Sequence, residues 1–429
     1  MASERWTRRG FLAGSTAALG LAIVSRKVLG GEAETPPSDT LGGALIGCGG
    51  RGGGTFSEMS KLHGRPKVKG PDGAMVDPKP SFKVERRADC DVRFKDRADN
   101  KKIYTDFRRV LERQDIDIVA IGTPPHWHAL ISIAAMEAGK DVLCEKPMTR
   151  FIAEGRAVVQ AARRYGRIFQ VGTFGRYGAA NDKGNIQKHK AFMRGLIKST
   201  DMVYHIKGGF KVKEWSGMTV APPQPVPANL DWDMYCGPSP LRPYHPHRVG
   251  GTHRGYWDYE GGGLADMGQH YLDAFCWTYG RENTAPVEIE PYAPPAHPEA
   301  TGLWGWVEMK YADGLTLVLE SGEWGKPYER AKTKGLNLDQ ALGDEGKKKL
   351  AELPDPEPLV PFAEAVVTRK RGEGNDPEGF HRTACILHLA NIAIRMGRKI
   401  RFDPVAEQIV GDDEANRLVN QPMRAPWHL

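Results

Sequence analysis

Short, continuous apolar runs alternate with amphipathic segments along the first third of the chain. The runs at 42–46, 117–121 and 141–144 each end in glycine, proline or polar residues, and helix-like stretches occupy 104–113 and 129–138. Strands that are buried on both faces of a parallel sheet have this continuous pattern rather than an alternating one. The pattern therefore predicts an α/β fold that begins with a Rossmann-type, doubly wound parallel sheet.

The pattern changes in the second half of the chain. Residues 203–212, 302–311 and 315–320 are rich in β-branched and aromatic side chains, and the turn signal Asp313-Gly314 separates the last two of these runs. Strand runs that follow an alternating region indicate a second, α+β domain with an open, mostly antiparallel sheet. A helix predicted at 380–396 carries one apolar stripe, so we expect it to pack in the core.

A glycine cluster ends the first apolar run. The loop comprises Gly47, Cys48, Gly49, Gly50, Arg51 and Gly52, with glycines in the G-x-G-x-x-G spacing. This spacing lets the backbone approach a pyrophosphate, whose charge faces the N–H groups of the next helix. The spacing alone is weak, because the chain has 50 glycines. The other polar clusters of this half also follow predicted strands, where such sheets bind ligands, so we predict a dinucleotide site.

Two acids are candidates for binding the ribose hydroxyls at the end of the second strand. Asp91 ends the partly alternating run 82–92, whereas Asp77 lies closer to the usual distance of about 20 residues from the glycine loop. We prefer Asp91, and an acid in this position favours NAD, with NADP as the alternative cofactor. The basic, proline-broken stretch 61–88 predicts a surface insertion, and it leaves the choice of acid open.

Two further motifs follow the later strands of the first domain. Thr123 and Pro124 begin a turn that reaches His128, and the strand at 141–144 ends in Glu145-Lys146-Pro147. Together with the glycine loop, these motifs resemble the Gfo/Idh/MocA family of sugar-active oxidoreductases. The resemblance implies that Pro147 shapes the cofactor pocket, that Glu145 meets the nicotinamide ribose and that Lys146 reaches the substrate. It also assigns Thr123, Pro124 and His128 to the cofactor site.

In the second domain, glycines precede a helix on which Asp266 and His270 are four residues apart and share one face. Spacing alone would favour a surface ion pair. Members of the family, however, use an Asp-x-x-x-His helix opposite the lysine. The resemblance therefore implies that His270 is the general base and that Asp266 orients the substrate.

A polar and aromatic stretch precedes this helix. We expect it to line the substrate site, with Tyr256 and Trp257 as stacking surfaces for a sugar, and Arg176 is a further candidate for binding sugar hydroxyls. The stretch also holds three histidines at 245, 247 and 253, but the intervening prolines and glycines do not fix them on one face. We expect no metal site.

Composition and the N-terminus restrict location and partners. The six cysteines are scattered, which argues against a disulfide framework, and the net charge of +7 gives no reason to expect nucleic acid. Arg8 and Arg9 precede an apolar run at 11–24 that is too short for a stable membrane span, a pattern typical of a twin-arginine export signal. We expect export to the periplasm by this route.

These features divide the chain. The predicted parts are a signal at 1–33, a linker at 34–41, an NAD(P)-binding domain at 42–150, an α+β substrate and oligomerisation domain at 151–380, and a helix and tail at 381–429 that pack back on the body. We expect a homo-oligomer, either a dimer or a tetramer.

The favoured function is an NAD(P)-dependent oxidoreductase that acts on a sugar, polyol or sugar derivative by hydride transfer, with a tightly bound cofactor. One alternative is a redox-neutral, NAD-dependent glycosidase or epimerase on the same fold. The export signal favours this alternative, because such an enzyme would consume no free cofactor outside the cytoplasm. A carbohydrate-binding protein on a redundant scaffold is the non-enzymatic alternative.

Overall fold

The computed structural model describes residues 40–197, 202–329 and 337–429. The predicted export signal and nearly all of the linker therefore lie outside the described residues. Within them, no helix combines the length and the apolar character that crossing a membrane requires.

Helices separate most of the strands up to residue 171, and the strands of the second sheet lie between residues 203 and 409 with helices among them. The strands are β1 (Thr40–Ile46), β2 (Val68–Lys69), β3 (Met75–Val76), β4 (Lys83–Cys90), β5 (Ile103–Tyr104), β6 (Ile118–Ile121), β7 (Asp141–Cys144), β8 (Phe169–Val171), β9 (Val203–Lys207), β10 (Glu288–Tyr292), β11 (Trp306–Lys310), β12 (Thr316–Glu320), β13 (Ile400–Asp403) and β14 (Gln408–Ile409). The helices are α1 (Gly52–Glu58), α2 (Phe107–Leu111), α3 (His128–Glu137), α4 (Ile152–Tyr165), α5 (Gly175–Ala180), α6 (Lys183–Met193), α7 (Trp232–Cys236), α8 (Gly262–Thr278), α9 (Leu338–Glu352), α10 (Phe362–Thr368), α11 (Pro377–Met396) and α12 (Asp413–Asn416).

The first sheet has six parallel strands in the order β5-β4-β1-β6-β7-β8. Every residue of β6 and β7 is buried, which is the burial that their continuous apolar sequences predict. Ile46 pairs with both Cys90 and Ile121, so the carboxyl ends of β4, β1 and β6 are level with one another. The predicted doubly wound sheet is confirmed, and the loops after these strands meet at one edge.

The second sheet has the order β14-β13-β10-β11-β12-β9, and its pairs are antiparallel except for β12 with β9. One face packs on α8 and α11, where Val307 and Leu317 join Leu272 and Ile386 in the largest core cluster. The predicted α+β domain is therefore confirmed. Its core fixes α8, the helix that carries Asp266 and His270.

The domain limits that the sequence suggested do not follow the packing. The strand β8 belongs to the first sheet although it lies beyond residue 150, and Phe362 of α10 packs with Leu45 and Leu143 of that sheet. A limit at residue 380 would also divide α11, whose Phe380 packs with the core of the first domain. A parallel sheet needs cover on both faces, and here later segments of the chain return to provide it.

Candidate active site

A cavity of about 470 Å³ lies at the carboxyl ends of β1, β4, β6 and β7. The first domain contributes its glycine loop and the residues that follow these strands. Residues 227–260 of the second domain form the opposite wall. The cavity therefore occupies the crevice where doubly wound sheets bind nucleotides.

The glycine loop can be built only with glycine at key positions. Gly47 has a φ of +88°, and a Cβ there would lie 2.4 Å from the backbone nitrogen of Thr123. A Cβ on Gly52 would lie 2.0 Å from the carbonyl oxygen of Gly47. At Gly50, by contrast, a Cβ would have no atom within 4 Å. The loop thus packs tightly against the sheet and leaves an open cradle on the cavity side, which fits a pyrophosphate.

Asp91 lies directly after β4 and borders the cavity. Its carboxylate accepts hydrogen bonds from the Cys48 N–H at 2.9 Å and from Nε and Nη2 of Arg93 at 3.0 and 2.9 Å. Burial alone would raise the pKa of Asp91, but the bonds from Arg93 outweigh it and lower that pKa, so the group is ionised. Asp77 instead follows β3 in an exposed two-stranded hairpin. The structure therefore puts Asp91, and not Asp77, beside the glycine loop.

The residues of the turn after β6 have two roles: some line the cavity, and one holds the turn in place. Thr123 and Pro124 line the cavity, but His128 does not, which corrects the expectation that it contacts the cofactor. His128 is fully buried, and its two ring nitrogens each lie 2.8 Å from a backbone carbonyl oxygen, those of Pro147 and Thr123. Burial lowers its pKa, so the neutral ring donates to one carbonyl at a time. His128 joins the two turns and holds them in place.

The three residues after β7 have different roles in the packing. Glu145 accepts hydrogen bonds from the hydroxyl of Thr55 at 2.7 Å and from Nε of Arg51 at 3.1 Å, so it ties the strand end to α1. The Lys146–Pro147 peptide is cis. Lys146 lines the cavity and donates to the backbone carbonyl oxygen of Asp266 at 2.9 Å and also to its carboxylate.

The Asp266 carboxylate pairs with two cations. Besides Lys146, Arg254 approaches it, with Nε 2.6 Å from Oδ1. Burial alone would raise the pKa of Asp266, but the charges of Lys146 and Arg254 outweigh it and lower that pKa. One helical turn further along, His270 is half-buried, and burial and then the charge of Lys146 lower its pKa, which keeps the ring neutral at pH 7. The structure thus brings Lys146, Asp266 and His270 close to one another, although of the three only Lys146 borders the cavity itself.

Three predicted substrate residues do not reach the cavity. Arg176 is fully buried and pairs with Asp273 at 2.7 Å and with Glu282 at 2.8 Å. Tyr256 is fully buried behind the loop, and the Trp257 indole N–H donates to a backbone carbonyl within the second domain. We therefore correct the expectation that Arg176, Tyr256 and Trp257 bind sugar, because all three are used in packing.

Neighbours of those residues line the cavity instead. His253, Arg254 and Glu260 border it near Lys146, and Tyr235 and Tyr244 border it further out. The polar and aromatic composition of residues 245–259 pointed to this loop, although not to Glu260, which directly follows it. Nothing in the sequence marked the two tyrosines as site residues.

Residues 229–235 of the second domain cover the outer end of the cavity, and we call this segment the roof. The backbone N–H of Asp231 donates to the carbonyl oxygen of Val92 at 2.9 Å. The backbone N–H of Lys95 donates to the carbonyl oxygen of Asn229 at 3.3 Å, so these two bonds attach the roof to the first domain next to Asp91. The C-terminal tail supports it from outside. Trp427 packs edge to face on Trp127, a cavity residue, with ring centroids 4.7 Å apart, while Nη1 of Arg424 lies 2.7 Å from the Asp233 carboxylate of α7.

One group away from the cavity has the composition of a metal site. Ligand atoms of His381, Cys385 and Glu407 lie within 4.8 Å of one another. However, Arg156 donates to Glu407 at 2.7 Å, and Arg382 lies 3.2 Å from the same carboxylate. Because two guanidinium groups neutralise the carboxylate, we interpret this group as a half-buried ion-pair network.

Family models match most of the chain. The oxidoreductase family, NAD-binding Rossmann fold, matches residues 77–173, and the oxidoreductase family, C-terminal alpha/beta domain, matches residues 188–429. The second match alone covers more than half of the chain. The chain belongs to the Gfo/Idh/MocA oxidoreductase family.

Similarity to individual proteins is more limited. A levoglucosan dehydrogenase of Pseudarthrobacter phenanthrenivorans is 46% identical over 59 residues, which are 14% of this chain and 15% of that protein. A glycosyl hydrolase family 109 protein of Solibacter usitatus is 31% identical over 146 residues, 33% of this chain and 32% of that protein. The matches thus span a third or less of these relatives. The WlbA dehydrogenase from Chromobacterium violaceum, solved with NADH and UDP-GlcNAcA, shares the fold at 17% identity, with a TM-score of 0.51 over 85% of this chain and 96% of that one.

Proposed function

We propose that this protein is an NAD(P)-dependent oxidoreductase that oxidises a hydroxyl group of a sugar, polyol or sugar derivative. The observation that carries the proposal is that Lys146, which borders the cavity that begins at the glycine loop, is joined to Asp266, one helical turn from His270. A cation at the cavity wall, with a carboxylate and a neutral imidazole next to it, supplies the groups that alcohol oxidation requires.

The first domain would hold the cofactor. The cradle at Gly50 fits the pyrophosphate, and the ionised Asp91 fits the hydroxyls of the adenosine ribose, which favours NAD over NADP. Glu145, fixed by Thr55 and Arg51, would meet the second ribose. When bound, the cofactor would supply the hydride acceptor that oxidation of the hydroxyl group requires.

Two side chains of the crevice would act on the substrate hydroxyl. His270 would accept the hydroxyl proton on its imidazole, since burial keeps that ring neutral. Lys146 would donate a hydrogen bond to the same oxygen and stabilise its negative charge as the proton leaves. Asp266, which pairs with Lys146, would keep the ammonium in place.

We also propose that the cofactor stays bound between turnovers. The roof at residues 229–235 is attached beside Asp91, and the tail holds it from the outside, so release of the dinucleotide would require these contacts to open. A roofed site suits an enzyme that is exported already folded with its cofactor.

A redox-neutral glycosidase or epimerase is the second candidate. The similarity to a glycosyl hydrolase family 109 protein and the roofed cavity both favour it, because such a reaction would use one cofactor molecule repeatedly. In this chemistry the hydride taken from the substrate would be returned to it before the product leaves.

One experiment separates the two candidates. The purified protein is incubated with NAD and a panel of sugars, polyols and aryl glycosides, and the absorbance of reduced nicotinamide is followed together with aglycone release. Net reduction of added NAD supports the oxidoreductase. Aglycone release without net reduction supports the redox-neutral enzyme, and the absence of both signals argues against either activity.

Export and assembly are further parts of the proposal. We propose that Arg8 and Arg9 direct twin-arginine export to the periplasm, which replacing both by lysine and fractionating the cells would test. We also propose a homo-oligomer. Its contact surface would be the outward face of the second sheet, where Tyr292 stacks on Trp306 with centroids 5.1 Å apart and Trp324 and Tyr328 pack on these two rings. Light scattering on the purified protein measures the assembly.

A further inference from the structure

Glu260 holds an unpaired oxygen at the inner end of the cavity. It lies directly before the glycines that begin α8, it is 2% exposed, and it borders the cavity. Its Oε2 lies 3.1 Å from Nε2 of His253, but its Oε1 is buried and has no hydrogen-bond partner among the described residues. A buried carboxylate oxygen without a donor is costly, so a donor from a ligand would be strongly favoured there.

Arg254 connects this carboxylate to the predicted reaction centre. Its Nε lies 3.8 Å from Oε2 of Glu260 and 2.6 Å from Oδ1 of Asp266, and its guanidinium lies 4.8 Å from the ring centre of Trp215. Burial alone would lower the pKa of Arg254, but the two carboxylates outweigh it and raise that pKa. Glu260 is therefore linked through Arg254 and Asp266 to Lys146.

The charges of this array indicate what it would bind. Two cations, Lys146 and Arg254, stand beside two carboxylates, Asp266 and Glu260, so the array offers no excess charge to an ionic ligand. A hydroxyl group can donate to a carboxylate and accept from a guanidinium at once. Adjacent hydroxyls of one neutral molecule could therefore occupy neighbouring parts of the array.

We propose that Glu260 and Arg254 form a second hydroxyl-binding subsite, which selects neutral polyhydroxylated substrates by a hydroxyl other than the one that is oxidised. This inference rests on the proposed function. In the subsite, the second hydroxyl donates to Oε1 of Glu260 and accepts from Arg254, while Lys146 and His270 act on the first. Glu260 is thus a specificity residue that does not take part in the proton transfer.

The test combines a substitution with removal of single hydroxyls from the substrate. The wild type and Glu260→Gln are assayed with NAD and D-glucose, D-galactose, levoglucosan and myo-inositol, and the sugar with the highest kcat/KM is replaced by each of its monodeoxy analogues. Asp258→Asn is the matched control, because Asp258 lies on the same loop but pairs with Arg242, outside the cavity. Titration of the NADH-bound proteins with the same sugars, followed by nicotinamide fluorescence, measures binding without turnover.

Besides the analogue that lacks the oxidised hydroxyl, which cannot turn over, the wild type should reject one other monodeoxy analogue by about tenfold to a hundredfold, the range for a hydrogen bond to a charged group. Glu260→Gln should lose affinity for the parent sugar by a similar factor, mainly in KM, and should no longer distinguish that analogue, whereas Asp258→Asn should keep the discrimination. If Glu260→Gln oxidises the parent sugar and still distinguishes it from that analogue, the proposed subsite is wrong, whereas the proposed function stands. If the wild type neither oxidises nor binds any sugar of the panel, the proposed function fails and the subsite fails with it.

Discussion

The side-chain nitrogen of Lys146 lies 2.9 Å from the backbone carbonyl oxygen of Asp266, so the turn after strand β7 contacts helix α8 of the other domain through this ammonium group. Both side chains are largely buried, with 10% of Lys146 and 6% of Asp266 exposed. The pairing therefore joins the two domains at the inner end of the cavity. It also holds a positive charge where an alkoxide would develop during oxidation of an alcohol.

Replacing Lys146 by Met should remove this charge and lower kcat by about a hundredfold or more, the usual effect of losing a donor to a developing oxyanion. Methionine keeps the length of the side chain, and Asp266 keeps Arg254 as a partner, so the fold should persist. Steady-state kinetics and thermal unfolding measure the two effects. Lys399→Met, at an exposed lysine that pairs with Glu288, is the control and should change neither. Normal turnover in Lys146→Met would argue against the role of the lysine.

Activity should fall as the pH decreases through the pKa of His270. Burial and the charge of Lys146 hold this pKa below 6.5, and only the neutral ring can accept a proton, so the loss occurs on the acid side of that value. His270→Gln should lower kcat by about a hundredfold and remove this acid limb. The pH dependence of kcat/KM for both proteins tests the prediction. If the variant kept the same acid limb, another group would be responsible for it.

Arg176→Met should destabilise the protein by about 3–5 kcal/mol, because it removes the buried cation that pairs with Asp273 and with Glu282. The folded fraction should keep its KM for substrate, since Arg176 does not reach the cavity. Chemical denaturation gives the free energy of unfolding. Arg398→Met, which breaks an exposed pair with Asp412, should cost no more than about 1 kcal/mol. A raised KM with normal stability would restore Arg176 as a substrate residue.

The sequence was most informative where polar residues directly follow a buried strand. Continuous apolar runs located β6 and β7, and parallel strands end at one edge of the sheet, so Asp91, Glu145 and Lys146 could be expected near one another. The same reasoning could not rank Asp77 below Asp91, because the hairpin that carries Asp77 interrupts the usual spacing. Asp91 lies beside the glycine loop because its strand, β4, pairs with β1. Which strands pair is a tertiary property that the local sequence does not show.

Residue type was a poor guide where burial decides the role. Arg176 and Tyr256 are chemically suited to bind sugars, yet each is enclosed by segments distant in the chain, such as Phe380 beneath the Arg176 guanidinium. Glu260, which does border the cavity, had no motif to mark it. The roof was equally hidden, because Trp427 reaches Trp127 only when the end of the chain returns to the first domain.

Asp91→Ser should weaken the preference for NAD over NADP by about tenfold or more. The carboxylate would bind the ribose hydroxyls and repel a 2′-phosphate, whereas its removal frees the side chain of Arg93 to pair with that phosphate. The ratio of kcat/KM for the two cofactors measures the change. Asp77→Ser is the matched control and should leave the ratio unaltered, since Asp77 follows the exposed hairpin. The opposite result would assign the ribose to Asp77.

Trp427→Ala should speed the release of bound NAD by about threefold to tenfold, because an edge-to-face aromatic contact and its buried area hold the tail on Trp127. The tail also pairs with α7 through Arg424, so loosening it should loosen the roof beside Asp91. Nucleotide retained after dialysis, together with the rate at which labelled NAD exchanges, measures the effect. Leu429→Ala, at the exposed end of the same tail, should leave the rate unchanged. Equal exchange rates in the wild type and Trp427→Ala would mean that the tail does not retain the cofactor, and the roof alone would then have to account for any tight binding.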